Sequence, residues 1–169
     1  MILKTPRLIL RPFAEEDLDR LAELMANRDF MRFSLGVFDR EKTREFLEKI
    51  LAWNRNEQPS LFAVIDRAGG NLIGYCGFYH QIIDGTNEIE IGYRLDPDYW
   101  NQGLITEAAR AVRDHGFSDL KLPRLISLIH PDNIPSRRVA EKVGMKLEKQ
   151  TMFRGFRTNV FAINSDRQG

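Results

Sequence analysis

The chain has little of several features that would fix its class at once. Cys76 is the single cysteine among 169 residues, so an internal disulfide and a cysteine zinc cluster are excluded. No apolar run approaches the length of a membrane span, and the first residues lack the basic head and long apolar stretch of a signal peptide. His80, His115 and His130 do not have metal-ligand spacing, and no metal is expected. These absences are typical of a cytoplasmic protein.

An excess of one charge is also missing. Lys and Arg number 25 against 24 Asp and Glu, a formal net charge of +1. Neither a nucleic-acid partner nor an anionic membrane is therefore expected, although a local basic cluster remains open. The length favours one domain over residues 1–169.

The apolar periodicity predicts an α/β (α+β) chain, in the order strand, two helices, three strands, helix, strand, helix and two strands. This order predicts a mixed sheet of about seven strands with helices on both faces. Helices are expected to begin at Asp39 and Asn133, which are good N-caps, and Gly144 is expected to end the last one. His115, on a helix, is expected to be solvated. The predicted strands are 7–13, 61–65, 72–79, 88–95, 125–130, 146–152 and 158–163.

The turn at residues 100–106 is the most informative segment. It joins a predicted strand to an amphipathic helix, and a helix start leaves several backbone N–H groups without partners. The N–H groups of Gln102, Gly103, Leu104 and Ile105, with the Thr106 hydroxyl, would suit an anion such as a pyrophosphate. The alternative is that Gly103 only helps the chain to turn.

Four segments carry a resemblance to a known family. Residues 90–109 resemble the acetyl-coenzyme A (acetyl-CoA) signature of GNAT N-acetyltransferases, in the branch that acetylates ribosomal-protein N-termini at alanine or serine. Residues 5–13, 72–74 and 133–145 resemble this branch's opening strand, third strand and late helix. The resemblance covers almost the whole chain.

Three positions of the turn bear on how well the resemblance holds there. Trp100 stands where the broader family has Gln or Arg, and it is common in this branch. Asn101 replaces a frequent glycine, and Ile105 replaces Gly or Ala. Because Ile105 keeps its N–H, pyrophosphate binding is still expected, with a possible loss of affinity.

The resemblance implies a splay between two central strands that holds the pantetheine arm of the cofactor. The arm would pair with the backbone of Tyr93, Arg94 and Leu95, and Asn133 would contact it. From the residues alone, Asn133 can equally be only a helix cap. Arg138 or Lys142 would hold the 3′-phosphate, unless both belong to a solvated helix face.

Amine acetylation requires a deprotonated nucleophile, so a general base is useful. Glu90 is the first candidate, and Glu88 on the same strand face would raise its pKa or attract a cation. The alternatives are an exposed strand face or an ion pair with Arg94. Ser136 is a candidate to hydrogen-bond the departing thiolate, and the alternative is a solvated or locally bonded serine in the first turn of the helix. A bulge near Ile91 or Gly92 would free an oxyanion donor.

An apolar stretch at 30–38 is predicted either as core or as a substrate-facing loop. We expect transfer of acetyl from acetyl-CoA to a primary amine, of a protein N-terminus or of a small molecule, by direct attack. A non-catalytic acyl-CoA-binding module is the alternative. The late strands could pair with a second copy, giving a homodimer.

Overall fold

The computed structural model describes residues 1–166, which build one eight-stranded sheet and four α-helices. The helices are α1 Leu18–Met25, α2 Arg40–Arg55, α3 Leu104–Ser118 and α4 Ile134–Lys142. The strands are β1 Leu3–Lys4, β2 Leu8–Pro12, β3 Leu61–Asp66, β4 Leu72–Ile83, β5 Thr86–Leu95, β6 Arg124–Ile129, β7 Lys146–Phe153 and β8 Phe156–Asn164. No helix within residues 1–166 is long and apolar enough to cross a membrane.

The strand order is β1-β2-β3-β4-β5-β6-β8-β7, antiparallel everywhere except between β5 and β6. The parallel β5–β6 contact consists of one residue pair, Glu90 with Ile126. Beyond this pair β5 runs on for five residues, to Leu95, without a pairing to β6. The predicted splay between two central strands is therefore confirmed, and we call it the opening.

Helices cover both faces of the sheet, as predicted. The apolar side of α3, including Ala108 and Val112, packs with Ala140 and Val143 of the α4 segment against one face. On the other face, residues of α1 and α2 pack against β3 and β4 in a second cluster. Each face thus buries its own apolar core, which favours the folded chain in proportion to the apolar area removed from water.

The local stop and start signals work as expected. Asp39 Oδ1 accepts a hydrogen bond from the Lys42 N–H at 2.8 Å, and Gly144 follows α4 with a left-handed φ of 94°. In the β4–β5 hairpin, Asp84 and Gly85 have φ values of 49° and 80°. Two positive φ angles match the right-handed twist of the flanking strands, so this two-residue turn fixes the register of β5.

Two details differ from the sequence prediction. The extra strand β1 has two residues, too few to show alternation. The prediction that His115 is solvated is wrong, because its side chain is buried beside Phe62 and Phe78. It lies three residues after Val112 on the apolar stripe of α3, and Asp119 meets its Nδ1 at 2.7 Å. Cys76 is fully buried in β4.

Candidate active site

Along the opening, the backbone groups that β5 turns toward β6 have no strand partner. Asp96 N–H donates to Ile73 O across the β4 side at 2.7 Å, whereas Ile91 O accepts from the Ser127 hydroxyl on β6 at 2.8 Å. Because backbone groups alternate sides along a strand, Tyr93 and Leu95 face the opening like Ile91. The backbone groups of Arg94 point to the other side, toward Tyr75 of β4.

The 100–106 turn adopts two left-handed residues in close succession. Asn101 has φ 61° and Gly103 has φ 77°. Asparagine tolerates this region better than most residues, so Asn101 can replace the glycine that is frequent in the branch. Trp100 Nε1 donates to Leu95 O at 2.8 Å, which ties the turn to the end of β5.

Gly103 is the N-cap of α3 rather than a member of its first turn. Helix geometry then leaves the N–H groups of Leu104, Ile105 and Thr106 without intrahelical acceptors. A Cβ on Gly103 would meet only Arg7 Nη2, at 3.5 Å, so the backbone is open on this side. The turn can therefore accept an anion against several N–H groups and the helix dipole.

Arg7 fastens this turn to the start of the chain. Its Nη1 donates to Gln102 O at 2.8 Å, and its Nε donates to Glu107 at 2.9 Å. Thr5 Oγ1 donates to the same carboxylate at 2.5 Å. The sequence pattern predicts only a strand at Arg7, because no local spacing relates residue 7 to residues 102–107.

A cavity lies beside the turn, and four cationic side chains line it. Lys142, one candidate for the 3′-phosphate, lines it together with Arg110. Arg138, the other candidate, is exposed on α4 and lines neither this cavity nor the larger one. The cations of the cavity wall are Lys4, Arg7, Arg110 and Lys142.

A second cavity lies at the opening and extends beneath α2, and we call it the larger cavity because many more residues line it. Glu90 lines it, and its carboxylate accepts from Gln81 Nε2 at 3.0 Å and from the Leu128 N–H at 3.3 Å. Burial raises the Glu90 pKa from 4.5 to about 7, although both hydrogen bonds lower it. A carboxylate of this pKa exchanges protons at neutral pH, as a general base must.

Burial, rather than a second carboxylate, is the main cause of the raised Glu90 pKa. Glu88 accepts from Arg124 Nε at 3.1 Å, so it is engaged in an ion pair away from Glu90. Arg94 does not form the alternative ion pair with Glu90, since its Nη1 donates to Phe30 O and Arg32 O at 2.9 and 2.8 Å.

Ser136 and Asn133 line the larger cavity from the α4 side. Asn133 Oδ1 accepts from the Ser136 N–H at 3.2 Å, which confirms the predicted cap. The Tyr93 hydroxyl donates to Ser136 O at 3.0 Å and so links β5 to this helix start. Burial raises the pKa of the Tyr93 hydroxyl, which keeps it protonated as a donor.

The predicted bulge near Ile91 or Gly92 is absent from β5, so that prediction is wrong. The β4–β5 register is continuous from Gly74 with Leu95 to Ile83 with Thr86. Because Glu90 turns its own backbone groups toward β4, its parallel pairing with Ile126 uses the Ile91 N–H. The next N–H on this side of β5, that of Tyr93, faces the opening.

The apolar stretch 30–38 divides between the two alternatives. Phe30 and Met31 are buried in the core of the α1–α2 face. Phe33, Leu35 and Phe38 line the larger cavity, and the Phe33 ring lies 5.2 Å from that of His130. Residues 1–166 contain no group of His, Cys, Asp and Glu side chains placed to hold a metal ion.

Comparison with known proteins gives the family. The profile of the acetyltransferase (GNAT) domain matches residues 7–146. The chain is 36% identical over 149 residues to the uncharacterized N-acetyltransferase YnaD of Bacillus subtilis, covering 88% of this chain and 84% of that protein. It is 28% identical over 144 residues to the ribosomal-protein-serine acetyltransferase of Escherichia coli, covering 82% and 79%.

A solved structure agrees with this assignment. The acetyltransferase (GNAT family) from Bacillus anthracis superposes with a TM-score of 0.82 at 32% identity, covering 97% of this chain and 98% of that chain. The chain belongs to the GNAT family and is an N-acetyltransferase.

Proposed function

We propose that residues 1–169 form one N-acetyltransferase domain that transfers the acetyl group of acetyl-CoA to a primary amine by direct attack in a ternary complex. The observation that carries the proposal is the position of Glu90. This carboxylate, with a pKa of about 7, lies where the larger cavity meets the opening. A binding module would not need a group that exchanges protons at this place.

Acetyl-CoA fits the opening and the turn as a co-substrate. The backbone of Tyr93 and Leu95 would pair with the pantetheine arm, and Asn133 would contact it, while Arg94 would act only through its place on the strand. The 100–106 turn would bind the pyrophosphate through Gly103 and the first N–H groups of α3, with Trp100 and Asn101 shaping the loop. Lys142 and Arg110 are better placed for the 3′-phosphate than Arg138.

The residues of the larger cavity then have distinct roles. Glu90 accepts the proton of the attacking ammonium, directly or through a water molecule, so that the nitrogen has a lone pair. A β5 N–H that faces the opening beyond the pairing with β6 donates to the oxygen of the acetyl group as negative charge develops on it. The effect is worth roughly a few kcal/mol when the donor is preorganised. Ser136 is placed at the α4 start to stabilise the leaving thiolate.

The test is to incubate the protein with acetyl-CoA and a panel of primary amines, and to measure both the free thiol and the acetylated amine by mass spectrometry. Stoichiometric release of thiol and acetylated amine would support the enzyme. Acetyl-CoA binding with thiol release that no amine accelerates would favour the non-catalytic acyl-CoA module instead.

The acceptor can belong to a protein N-terminus, as the name of the Escherichia coli relative indicates for that protein, or to a small molecule. A homodimer through β7 and β8 and a cytoplasmic location stay predictions from the sequence.

A further inference from the structure

The larger cavity is strongly basic although the whole chain is almost neutral. Five cationic side chains line it, against two carboxylates, Glu45 and Glu90. Across residues 1–166 none of the five forms an ion pair with a carboxylate. The formal net charge of the chain is only +1, so this cavity concentrates unneutralised positive charge. The five are Arg32, Lys42, Lys49, Arg94 and Arg154.

These cations surround the acceptor side of the opening. Lys42 and Lys49 lie seven residues apart on α2, which puts them on one face of that helix, two turns apart. Arg32 precedes α2, and Arg154 lies in the turn between β7 and β8, close enough to lower the Glu90 pKa by its charge. The α3 and α4 helices, whose cations serve the 100–106 turn, pack against the opposite face of the sheet.

Aromatic side chains form the remaining walls. The Phe38 and Phe46 rings meet at 6.3 Å, Phe46 meets Tyr75 at 5.6 Å, and Trp53 meets Tyr79 at 6.3 Å. All five side chains line the cavity that also holds Glu90. Burying the apolar body of a ligand against such a wall is favourable, because it removes a large apolar area from water.

We propose that the acceptor is a primary amine that also carries an apolar or aromatic body and an anionic group, such as a carboxylate. The inference rests on the proposed acetyl transfer and names the class of acceptor. The amine would reach Glu90, the body would pack on the aromatic wall, and the anion would lie near Lys42 and Lys49. A polyamine is disfavoured because its further ammonium groups would lie among five cations.

The experiment compares matched acceptors by kcat/KM at saturating acetyl-CoA. The small-molecule probes are phenethylamine, its para-carboxylate derivative and spermidine. The peptide probes are the C-terminally amidated tripeptides Ala-Phe-Glu and Ala-Phe-Gln, which differ by one carboxylate. Comparing peptides with small molecules shows whether the preferred anionic amine is a peptide N-terminus or a free small molecule. The carboxylate member of each pair is expected to be preferred by roughly fivefold or more, less so as salt is added.

Charge reversal tests whether Lys42 and Lys49 cause the preference for acceptors with a carboxylate. Lys42→Glu and Lys49→Glu should each lower kcat/KM for the carboxylate probes by roughly fivefold and leave phenethylamine nearly unchanged. Both positions are exposed on a helix, so the fold should tolerate the changes. Lys146→Glu is the matched control, because Lys146 is exposed on β7 and does not line the cavity.

The outcomes separate this inference from the proposed function. Equal use of all probes, or a preference for spermidine, would overturn the inference and leave acetyl transfer standing. A carboxylate preference that survives both Lys42→Glu and Lys49→Glu, or that Lys146→Glu removes equally, would also overturn it, as would acetyl-CoA binding with transfer to none of the probes. Failure to bind acetyl-CoA would instead refute the proposed function itself. Calorimetry measures this binding separately from the kinetics.

Discussion

Replacing Glu90 by glutamine tests the active site through both stability and rate. Glu90 has its pKa raised from 4.5 to about 7 because it is surrounded by protein atoms. The folded chain therefore holds a proton that the unfolded chain has released between these pH values. The stability due to the neutral acid is complete below pH 4.5 and is lost as the pH rises through about 7.

The size of the effect follows from the pKa values. A rise of the Glu90 pKa from 4.5 to about 7 means that the ionised carboxylate destabilises the folded chain at high pH. The cost is up to about 3 kcal/mol of folding free energy. Glutamine has the same shape without the charge and can still accept from the Leu128 N–H. Glu90→Gln should thus raise Tm by roughly 5–10 °C at about pH 8 and change it little at acid pH.

Activity should move in the opposite direction. We expect kcat/KM of the unaltered protein to rise with pH up to about 7. The midpoint of this rising limb of the pH profile should be the same for acceptors whose amines have different pKa values. Glu90→Gln should remove the limb and lower kcat by roughly 10²- to 10⁴-fold. Glu45→Gln is the matched control, since this exposed carboxylate lines the same cavity from α2.

Thermal denaturation from about pH 5 to pH 8 and steady-state kinetics over the same range measure both effects. If kcat of Glu90→Gln equals that of the unaltered protein across this range, Glu90 is not the base. If the Tm difference between the two proteins does not change with pH, the raised pKa is wrong as well.

Further variants test the 100–106 turn, the Asn133 cap and the hydrogen bond from Ser127 of β6 to β5. Arg7→Ala should weaken acetyl-CoA binding by roughly fivefold to thirtyfold, because Gln102 O loses its charged donor, and calorimetry would show the change in Kd. Asn133→Asp should leave the Tm of the protein unchanged, since aspartate caps a helix equally well. It should raise the Kd for acetyl-CoA, because the side chain can no longer donate to the cofactor arm. Asn133→Ala should raise this Kd and also cost about 1 kcal/mol of folding free energy. Ser127→Ala should cost about 1–3 kcal/mol of unfolding free energy by urea titration, because the buried Ile91 O loses its partner, and an unchanged midpoint would speak against this bridge.

The features that the sequence predicts best are those set by neighbouring residues. The Asp39 and Asn133 caps, the Gly144 stop and the Asp84–Gly85 turn each depend on a few consecutive side chains and φ angles. Glu90 likewise falls on a predictable face of β5, since successive side chains of a strand point to opposite sides of the sheet. Such local signals fixed the order of elements and, with the family resemblance, the 100–106 turn.

Features that depend on distant parts of the chain were beyond the sequence. The link from Arg7 to Gln102 and Glu107 joins residues about a hundred positions apart. The Glu90 environment combines β5 with the Leu128 N–H of β6 and with Gln81 of β4. Its raised pKa was expected from Glu88, yet burial by these elements is the cause.

The apolar stretch 30–38 shows the same limit from another side. Its composition favours burial throughout, but only Phe30 and Met31 reach the core. Phe33 and Leu35 remain 41% and 76% exposed and line the larger cavity instead. Only the packing of the segment against β4 and α2 decides which side chains face the acceptor.

The central claim is that the 100–106 turn binds acetyl-CoA, and calorimetric titration of three proteins tests it most directly. The unaltered protein should bind with a roughly micromolar Kd. Gly103→Ala adds a side chain in a left-handed position but fits sterically, so it should weaken binding by roughly tenfold at most. Gly103→Glu puts a carboxylate against the pyrophosphate and should weaken binding on the order of a hundredfold or more. Equal Kd values for the alanine and glutamate variants, or no binding by the unaltered protein, would contradict the account.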